Sequence, residues 1–345
     1  MSIEDAAFPV IDGHNDLPWE RRESHDSGLE GIDAEVGSLH TDLPKLRAGG
    51  VVGQFWSVFV PTDVEDPVGA TLQQIDLVHR MVDRFRSDLA LARTAAEIRA
   101  AVDSGRIASL LGAEGGHSIG DDLAVLRNFA RLGVRYMTLT HNDDTPWADS
   151  ATGSHPHRGL TDRGREIVAE MERIGILVDL SHTSPATMRD ALDVATQPVI
   201  FSHSSTAAVA DHPRNVPDDV LARLADNGGV VMITFVPQFV SVPYAEWLAG
   251  GSSGEPPLVT VADVADHVDH ARDVAGSAHI GLGGDYDGTP VLPPDLRDVS
   301  RYPVLAEELR RRGWNDADLR ALAGGNILRV LEATDQRFSA MALSG

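Results

Sequence analysis

Ile176-Leu177-Val178-Asp179-Leu180-Ser181-His182-Thr183-Ser184-Pro185 is the stretch whose reading decides the fold. Its apolar, partly β-branched opening predicts a strand over Ile176–Leu180. Ser181 and His182 follow at once. Ser184-Pro185 then opens a helix: a serine side chain satisfies free N–H groups, and proline's fixed φ suits the first turn. The unit therefore runs strand, polar chemistry, helix. It recurs immediately, with a strand over Pro198–Phe201 followed by Ser202-His203-Ser204-Ser205.

The same alternation extends in both directions. Further strands are expected at Pro9–Asp12, Val51–Phe59, Ile107–Leu111, Val134–Leu139, Val230–Phe235 and Ile280–Leu282. Helical patterns cover Ala70–Phe85, Ala95–Ser104, Asp122–Leu132, Thr161–Ile174, Pro185–Val194, Asp218–Asn227, Val259–Ala275, Val304–Arg311 and Asn315–Glu332, the last capped by Asn315. Eight near-continuous apolar strands alternating with helices imply a parallel sheet covered on both faces. Eight repeats favour a closed (β/α)8 TIM barrel, of the α/β class, over an open sheet. No linker divides the chain, so one domain is expected over 1–345. Gly250–Pro257 predicts a flexible loop between the seventh strand and its helix, either a substrate cover or a tolerated surface insertion.

Composition narrows the function classes. A 42% hydrophobic content over 345 residues supports a large core, and a formal net charge of −23 argues against nucleic acid and anionic membranes as partners. The chain has no cysteine, which removes disulfides and thiolate metal ligands. Met1–Asp5 is acidic and lacks the layout of a signal peptide, and Ala340–Gly345 is too short for an anchor signal. No apolar run approaches the ~20 residues that span a bilayer. A soluble, cytoplasmic protein is expected.

Barrel chemistry collects at the C-terminal ends of the strands. There the sequence places His14 and Asp16, Glu114, His141-Asn142-Asp143-Asp144, His182, His203 and Asp285-Tyr286-Asp287, with Asp211-His212-Pro213-Arg214-Asn215 in the sixth loop. His14 and Asp16 are two positions apart, so on extended backbone they point the same way. A single strand-end histidine is ordinarily structural. Ligand-capable groups at six strand ends point to a metal site of imidazole and carboxylate donors. His117 follows Glu114 by three and takes no assigned role. His25, His40, His79, His155, His157, His267, His270 and His279 read as surface or loop residues. Gly116-His117-Ser118-Ile119-Gly120 matches the nucleophile elbow of α/β-hydrolases, but Glu114-Gly115-Gly116 intervenes between strand and serine. Gly281-Leu282-Gly283-Gly284-Asp285-Tyr286 lacks the third glycine of a dinucleotide loop.

The pieces Asp12-Gly13-His14-Asn15-Asp16, Glu114-Gly115-Gly116, Thr140-His141-Asn142, Asp179-Leu180-Ser181-His182, Ser202-His203-Ser204, Arg214-Asn215, Gly284-Asp285-Tyr286-Asp287-Gly288 and Gly324-Gly325-Asn326 carry a resemblance. Together and in this order they resemble the membrane (renal) dipeptidase family of metallopeptidases, within the amidohydrolase-like barrels. The resemblance implies two Zn²⁺ per chain. His14 and Asp16 hold one zinc, His182 and His203 the other, and Glu114 bridges them. It further implies that His141 polarises the scissile carbonyl, that Arg214 binds the substrate carboxylate, and that Asp285 is the acid/base near a metal-activated bridging hydroxide. The substrates implied are dipeptides, including those with a C-terminal D-residue, and relatives are often homodimers. Tyr286 stands where many relatives have Phe. Many related barrels bridge their metals with a carboxylated lysine. Lys45, the only lysine here, precedes the second strand in a helical segment, which leaves the bridge to a carboxylate such as Glu114. Two rival readings stay open: opening of a lactam, lactone or N-acyl amino acid at the same metals, and a non-catalytic binding barrel.

Overall fold

The computed structural model describes Ile3 and residues 7–343; of the stretches read for targeting signals, residues 1, 2, 4–6, 344 and 345 lie outside the described residues. Eight parallel strands form the ring: β1 Val10–Asn15, β2 Val51–Ser57, β4 Ile107–Ala113, β5 Val134–Thr138, β6 Leu177–Asp179, β7 Ile200–Phe201, β8 Val230–Ile233 and β9 Ile280–Leu282. Each pairs with the next in the order β1-β2-β4-β5-β6-β7-β8-β9. Where the last strand meets the first, Asp16 N–H donates to Tyr286 O at 2.9 Å and Asn15 bridges Tyr286 in parallel sense. The (β/α)8 expectation holds as a nearly closed barrel.

The helices are α1 Leu17–His25, α2 Leu43–Ala48, α3 Pro67–Arg84, α4 Ala95–Asp103, α5 Leu123–Arg131, α6 Asp162–Ile174, α7 Pro185–Val194 and α8 Asp218–Asn227. After β8 come α9 Pro237–Val240, α10 Val242–Ala249 and α11 Val261–Ala275, and the chain ends with α12 Tyr302–Arg311, α13 Asp316–Arg320 and α14 Asn326–Leu343. The expected caps form: Ser184 accepts from Thr187 N–H at the start of α7, and Asn315 from Ala317 and Asp318 N–H at α13. Asp122 also caps α5, accepting from Ala124 N–H.

Alternate strand positions feed two apolar layers, as period-2 geometry requires. Ile11, Phe55, Leu110, Tyr136, Leu177, Ile200, Val230 and Met232 form one buried cluster, filling the ring. Val10, Trp56, Leu111, Met137, Val178, Phe201, Val231 and Leu282 belong to the other, against the helices. Gly112 on β4 faces Tyr136 on β5, and a Cβ there would collide with the phenol ring. That gap lets Tyr136 reach across to β1.

Several expectations are corrected. The first strand does not end at Asp12; it runs on to Asn15 and carries His14 within it. A ninth strand, β3 Leu89–Leu91, pairs only with β4, outside the ring; three residues at an edge leave too little pattern to read. Asn315–Glu332 is helical as expected, with one feature the pattern did not show: a π-helical turn at Ala321–Gly325 between α13 and α14. The turn lets Gly324 press against Pro9 O, while Asn326 Nδ2 donates to Ser277 O at 2.7 Å and Ile280 O at 2.8 Å. Gly324-Gly325-Asn326 is thus a stitch between α14 and the barrel.

Candidate metal centre

Four strand ends deliver five donors. His14 and Asp16 come from the end of β1, Glu114 follows the last residue of β4, His182 leaves β6 and His203 leaves β7. Their side-chain atoms converge. His14 Nε2 lies 3.2 Å from Asp16 Oδ2 and 3.3 Å from Glu114 Oε2. His182 Nε2 and His203 Nε2 lie 3.1 and 3.4 Å from Glu114 Oε1, and 2.9 Å from each other. His141 Nε2 stands 3.9 Å from the same Oε1, its ring tilted over those of His182 and Phe59. Asp285 joins His14 and Asp16 in a third group of atoms within 4.8 Å of one another. All the residues singled out for metal or catalysis therefore share one site.

The ring nitrogens are oriented from behind. The Tyr136 hydroxyl donates to Gly13 O at 3.1 Å, so its oxygen accepts from His14 Nδ1–H at 2.8 Å. Ser202 Oγ donates to Asp179 Oδ2 at 2.6 Å and accepts from His203 Nδ1–H at 2.8 Å. Asp179 is itself held by Thr138 Oγ at 2.6 Å and by the N–H groups of Ser181 and Ser202. Both relays turn a bare Nε2 toward Glu114, the second-layer arrangement that fixes metal-ligand tautomers. Neither Tyr136 nor Asp179 was assigned a role in the sequence. Asp179 sat inside a quoted motif, whereas Tyr136 carries no signal at all.

Burial pushes the His182 and His203 rings well below the usual imidazole range, with the Arg214 charge adding to the effect at His182 and the His14 charge at His203. Burial raises Asp285 to about 7, opposed by His14 and reinforced by Asp16 and Glu114. Neutral His182 and His203 rings around the Glu114 carboxylate, with His14 Nε2 and Asp16 Oδ1 buried and without a hydrogen-bond partner, make a nitrogen–oxygen donor set suited to Zn²⁺. His182, Asp285 and Asp287 adopt left-handed backbone, φ 65°, 61° and 63°. Such strain concentrates where geometry is dictated by function.

The donors open into a cleft of about 870 Å³ walled by Trp19, Phe59, Phe239, Tyr244, Trp247 and Leu248, with Arg214 in its lining. Arg214 is buried, although it sits on a loop. Its Nε and Nη1 have no partner, Nη2 reaches only His203 O at 3.4 Å, and the guanidinium lies 5.1 Å over Phe239. Burial lowers it to about 10. The inserted helices α9 and α10 supply most of this wall, while Ser252–Gly254 of the expected cover loop are exposed and outside it.

Other sequence readings resolve here. Ser118 is fully buried in a 3-10 turn, Gly116–Ile119, as no nucleophile elbow would be. His117 Nε2 bonds Val60 O at 2.9 Å. His267 was expected on the surface; it is fully buried, because α11 packs that face against β8 and the sixth loop. Lys45 is spent on Val36 O, Leu39 O and Asp42, away from the donors.

A nearly closed parallel barrel with this strand-end donor cluster defines a metal-dependent hydrolase. A family model for membrane dipeptidases, peptidase family M19, matches residues 5–344, and the chain belongs to that family. Dipeptidase verJ of Clonostachys rogersoniana is 44% identical over 345 aligned residues, 96% of this chain and 85% of the relative. A metallopeptidase from Rhodobacter sphaeroides, solved with a phosphinate mimic of the dipeptide L-Ala-D-Ala, is similar with TM-score 0.84 at 27% identity, over 95% of this chain and 99% of that one. The probable dipeptidase PvdM from Pseudomonas aeruginosa shares the fold with TM-score 0.86 at 22% identity, over 97% of both chains. The protein is a hydrolase, a dipeptidase of the metallopeptidase kind acting on small peptides. Among the described residues, no helix is long and apolar enough to cross a membrane.

Proposed function

We propose that the protein is a cytoplasmic zinc dipeptidase holding two Zn²⁺ per chain within one domain, and that it cleaves dipeptides including those ending in a D-residue. The observation that carries this reading is one cleft that holds both groups. Three imidazole Nε2 atoms meet Glu114, and the buried Arg214, with Nε and Nη1 unpartnered, lines the same cleft. His14 and Asp16 would hold one zinc and His182 and His203 the second, with Glu114 shared. When bound, the ions would supply an acidified water as nucleophile and polarise the scissile carbonyl.

The chain's own groups do the rest. Asp285, raised by burial toward neutral pH, accepts the nucleophile's proton and returns it to the leaving amine. His141, held neutral by burial, donates to the oxygen on which negative charge develops. Arg214 receives the C-terminal carboxylate as a planar two-pronged partner. That fixed cation limits the length of peptide on the C-terminal side of the scissile bond, as dipeptide cleavage requires. The phosphinate mimic bound by the Rhodobacter sphaeroides relative ends in D-Ala, which supports D-residue acceptance here.

Elemental analysis of purified protein is expected to find about two zinc ions per chain, and chelation to abolish turnover; full activity after chelation sinks the metal reading. Asp285→Asn in zinc-loaded enzyme is expected to lower kcat by about 100- to 10,000-fold. Near-normal turnover removes Asp285 from the acid/base role. A panel of L,L- and L,D-dipeptides beside N-acyl amino acids and β-lactams separates peptide cleavage from the rival amide chemistry.

A further inference from the structure

Arg214 has no side-chain bond strong enough to fix it, since its single side-chain hydrogen bond is the long one to His203 O. Its position therefore depends on two backbones: the loop between β7 and α8 that carries it, and helix α9, whose Phe239 lies beneath the guanidinium. The stems of that loop close on each other through Val216 N–H to Ser205 O at 2.8 Å and Ala207 N–H to Val216 O at 3.0 Å. One buried side chain grips both the stem and α9. His267 of α11 accepts at Nδ1 from Thr206 N–H at 3.1 Å and from Thr206 Oγ at 2.8 Å. Its Nε2–H donates to Val240 O, the end of α9, at 3.3 Å. A second tie joins the same two segments, Asn215 Nδ2 to Phe239 O at 2.7 Å.

We propose that His267 is a positioning residue for substrate recognition: by locking the Thr206 stem to the end of α9, it sets the place of Arg214 over Phe239 and hence the grip on the substrate's C-terminal carboxylate. The inference rests on the carboxylate role given to Arg214 above. A histidine suits the task because one ring offers an acceptor and a donor on opposite edges, and burial keeps it neutral with both edges in use. Asparagine can reproduce only the acceptor that holds Thr206, and glutamine only the donor near Val240.

The test uses zinc-loaded enzyme with L-Ala-D-Ala and with its C-terminal amide, which removes the carboxylate. Wild type is expected to favour the free acid by about 100-fold in kcat/KM, the scale of a charged, two-pronged hydrogen-bonded pair. In His267→Leu that preference is expected to shrink about tenfold, through a higher KM for the free acid with kcat within about threefold. His267→Asn should fall between the two. A residue that only fills the core would lower the active fraction, reducing kcat for both substrates and leaving their ratio intact. An unchanged ratio in folded His267→Leu overturns the proposal. If that variant does not fold, unchanged ratios in both His267→Asn and His267→Gln overturn it equally. Absence of any acid-over-amide preference in wild type instead overturns the role of Arg214 itself.

Discussion

Ser181-His182-Thr183-Ser184 and Ser202-His203-Ser204-Ser205 are near copies placed after adjacent parallel strands, yet they set their imidazoles by different means. The His203 ring is fully buried and fixed through its own neighbour, Ser202, backed by Asp179. The His182 ring borders the cleft, its Nδ1 has no partner, and its backbone sits at φ 65°. Ser181 does not serve His182 at all: its Oγ accepts from His203 N–H at 3.0 Å and from the Ser204 hydroxyl at 3.2 Å. One donor is thus held by a side-chain relay. The other is held by a backbone conformation that costs a non-glycine residue roughly 1–2 kcal/mol. A short motif specifies which atoms are available; the surrounding barrel decides how they are aimed.

The two halves should fail together when their shared partner goes. Glu114→Gln removes the charge that both rings approach. It is expected to lose bound zinc and to cut kcat/KM by well over the ~100-fold typical of outer-layer partners; an active, metal-loaded variant would break the symmetry of the pair. They should separate at the serines. Ser202→Ala frees His203 Nδ1 and is expected to weaken zinc binding by about 10- to 100-fold in competition titrations. Ser181→Ala, which leaves every bond of the His182 ring in place, should lose clearly less.

Acid should also act on one side. His267 anchors Thr206, three residues past His203, and burial lowers its pKa to about 4. The unfolded chain binds a proton near pH 6.5 that the folded chain refuses until about pH 4. The contribution to stability is therefore complete above pH 6.5 and falls with pH, by about 2 kcal/mol at pH 5. In denaturant titrations at pH 7 and 5 the loss should be about 2 kcal/mol smaller in His267→Asn than in wild type, the buried His182 and His203 adding the same share to both. The smallest effect is expected at Arg189, which joins α7 to Asp219 on α8 by two bonds of 2.7 and 2.9 Å on the exposed side of these two units. Arg189→Ala should cost about 0.5 kcal/mol, with a shift in Tm below about 2 °C and no change in kcat.

The ring of strands was legible because buried parallel strands are short apolar runs, and eight of them leave few architectures. The donors were legible because strand ends are where such barrels gather chemistry. The rest was hidden for separate physical reasons. Whether Arg214 is an exposed ion pair or a buried unpaired cation depends on α9, which folds over it from a later insertion. Tyr136 acts from mid-strand, where it reads as one more core aromatic, and Gly112, which admits it, reads as a strand breaker. His267 looks like a polar residue on a surface helix until the sixth loop packs against it. The π turn after α13 follows from contacts of Gly324 with β1, at the opposite end of the sequence. Each miss is a long-range contact with no local period.

Lys45 has a consequence of a practical kind. It is the only side-chain primary amine in the protein, and its Nζ gives one hydrogen to Val36 O at 2.7 Å, one to Leu39 O at 2.6 Å and one to Asp42 Oδ2 at 3.0 Å. Every other fixed side-chain cation is a guanidinium. Acylating reagents and amine-reactive dyes therefore meet a single side-chain amine, held in three hydrogen bonds, so beyond the α-amine they have no other attachment point. Because the charge pattern around the cleft is carried by arginine and carboxylate alone, it is chemically inert to the commonest modification of surface cations.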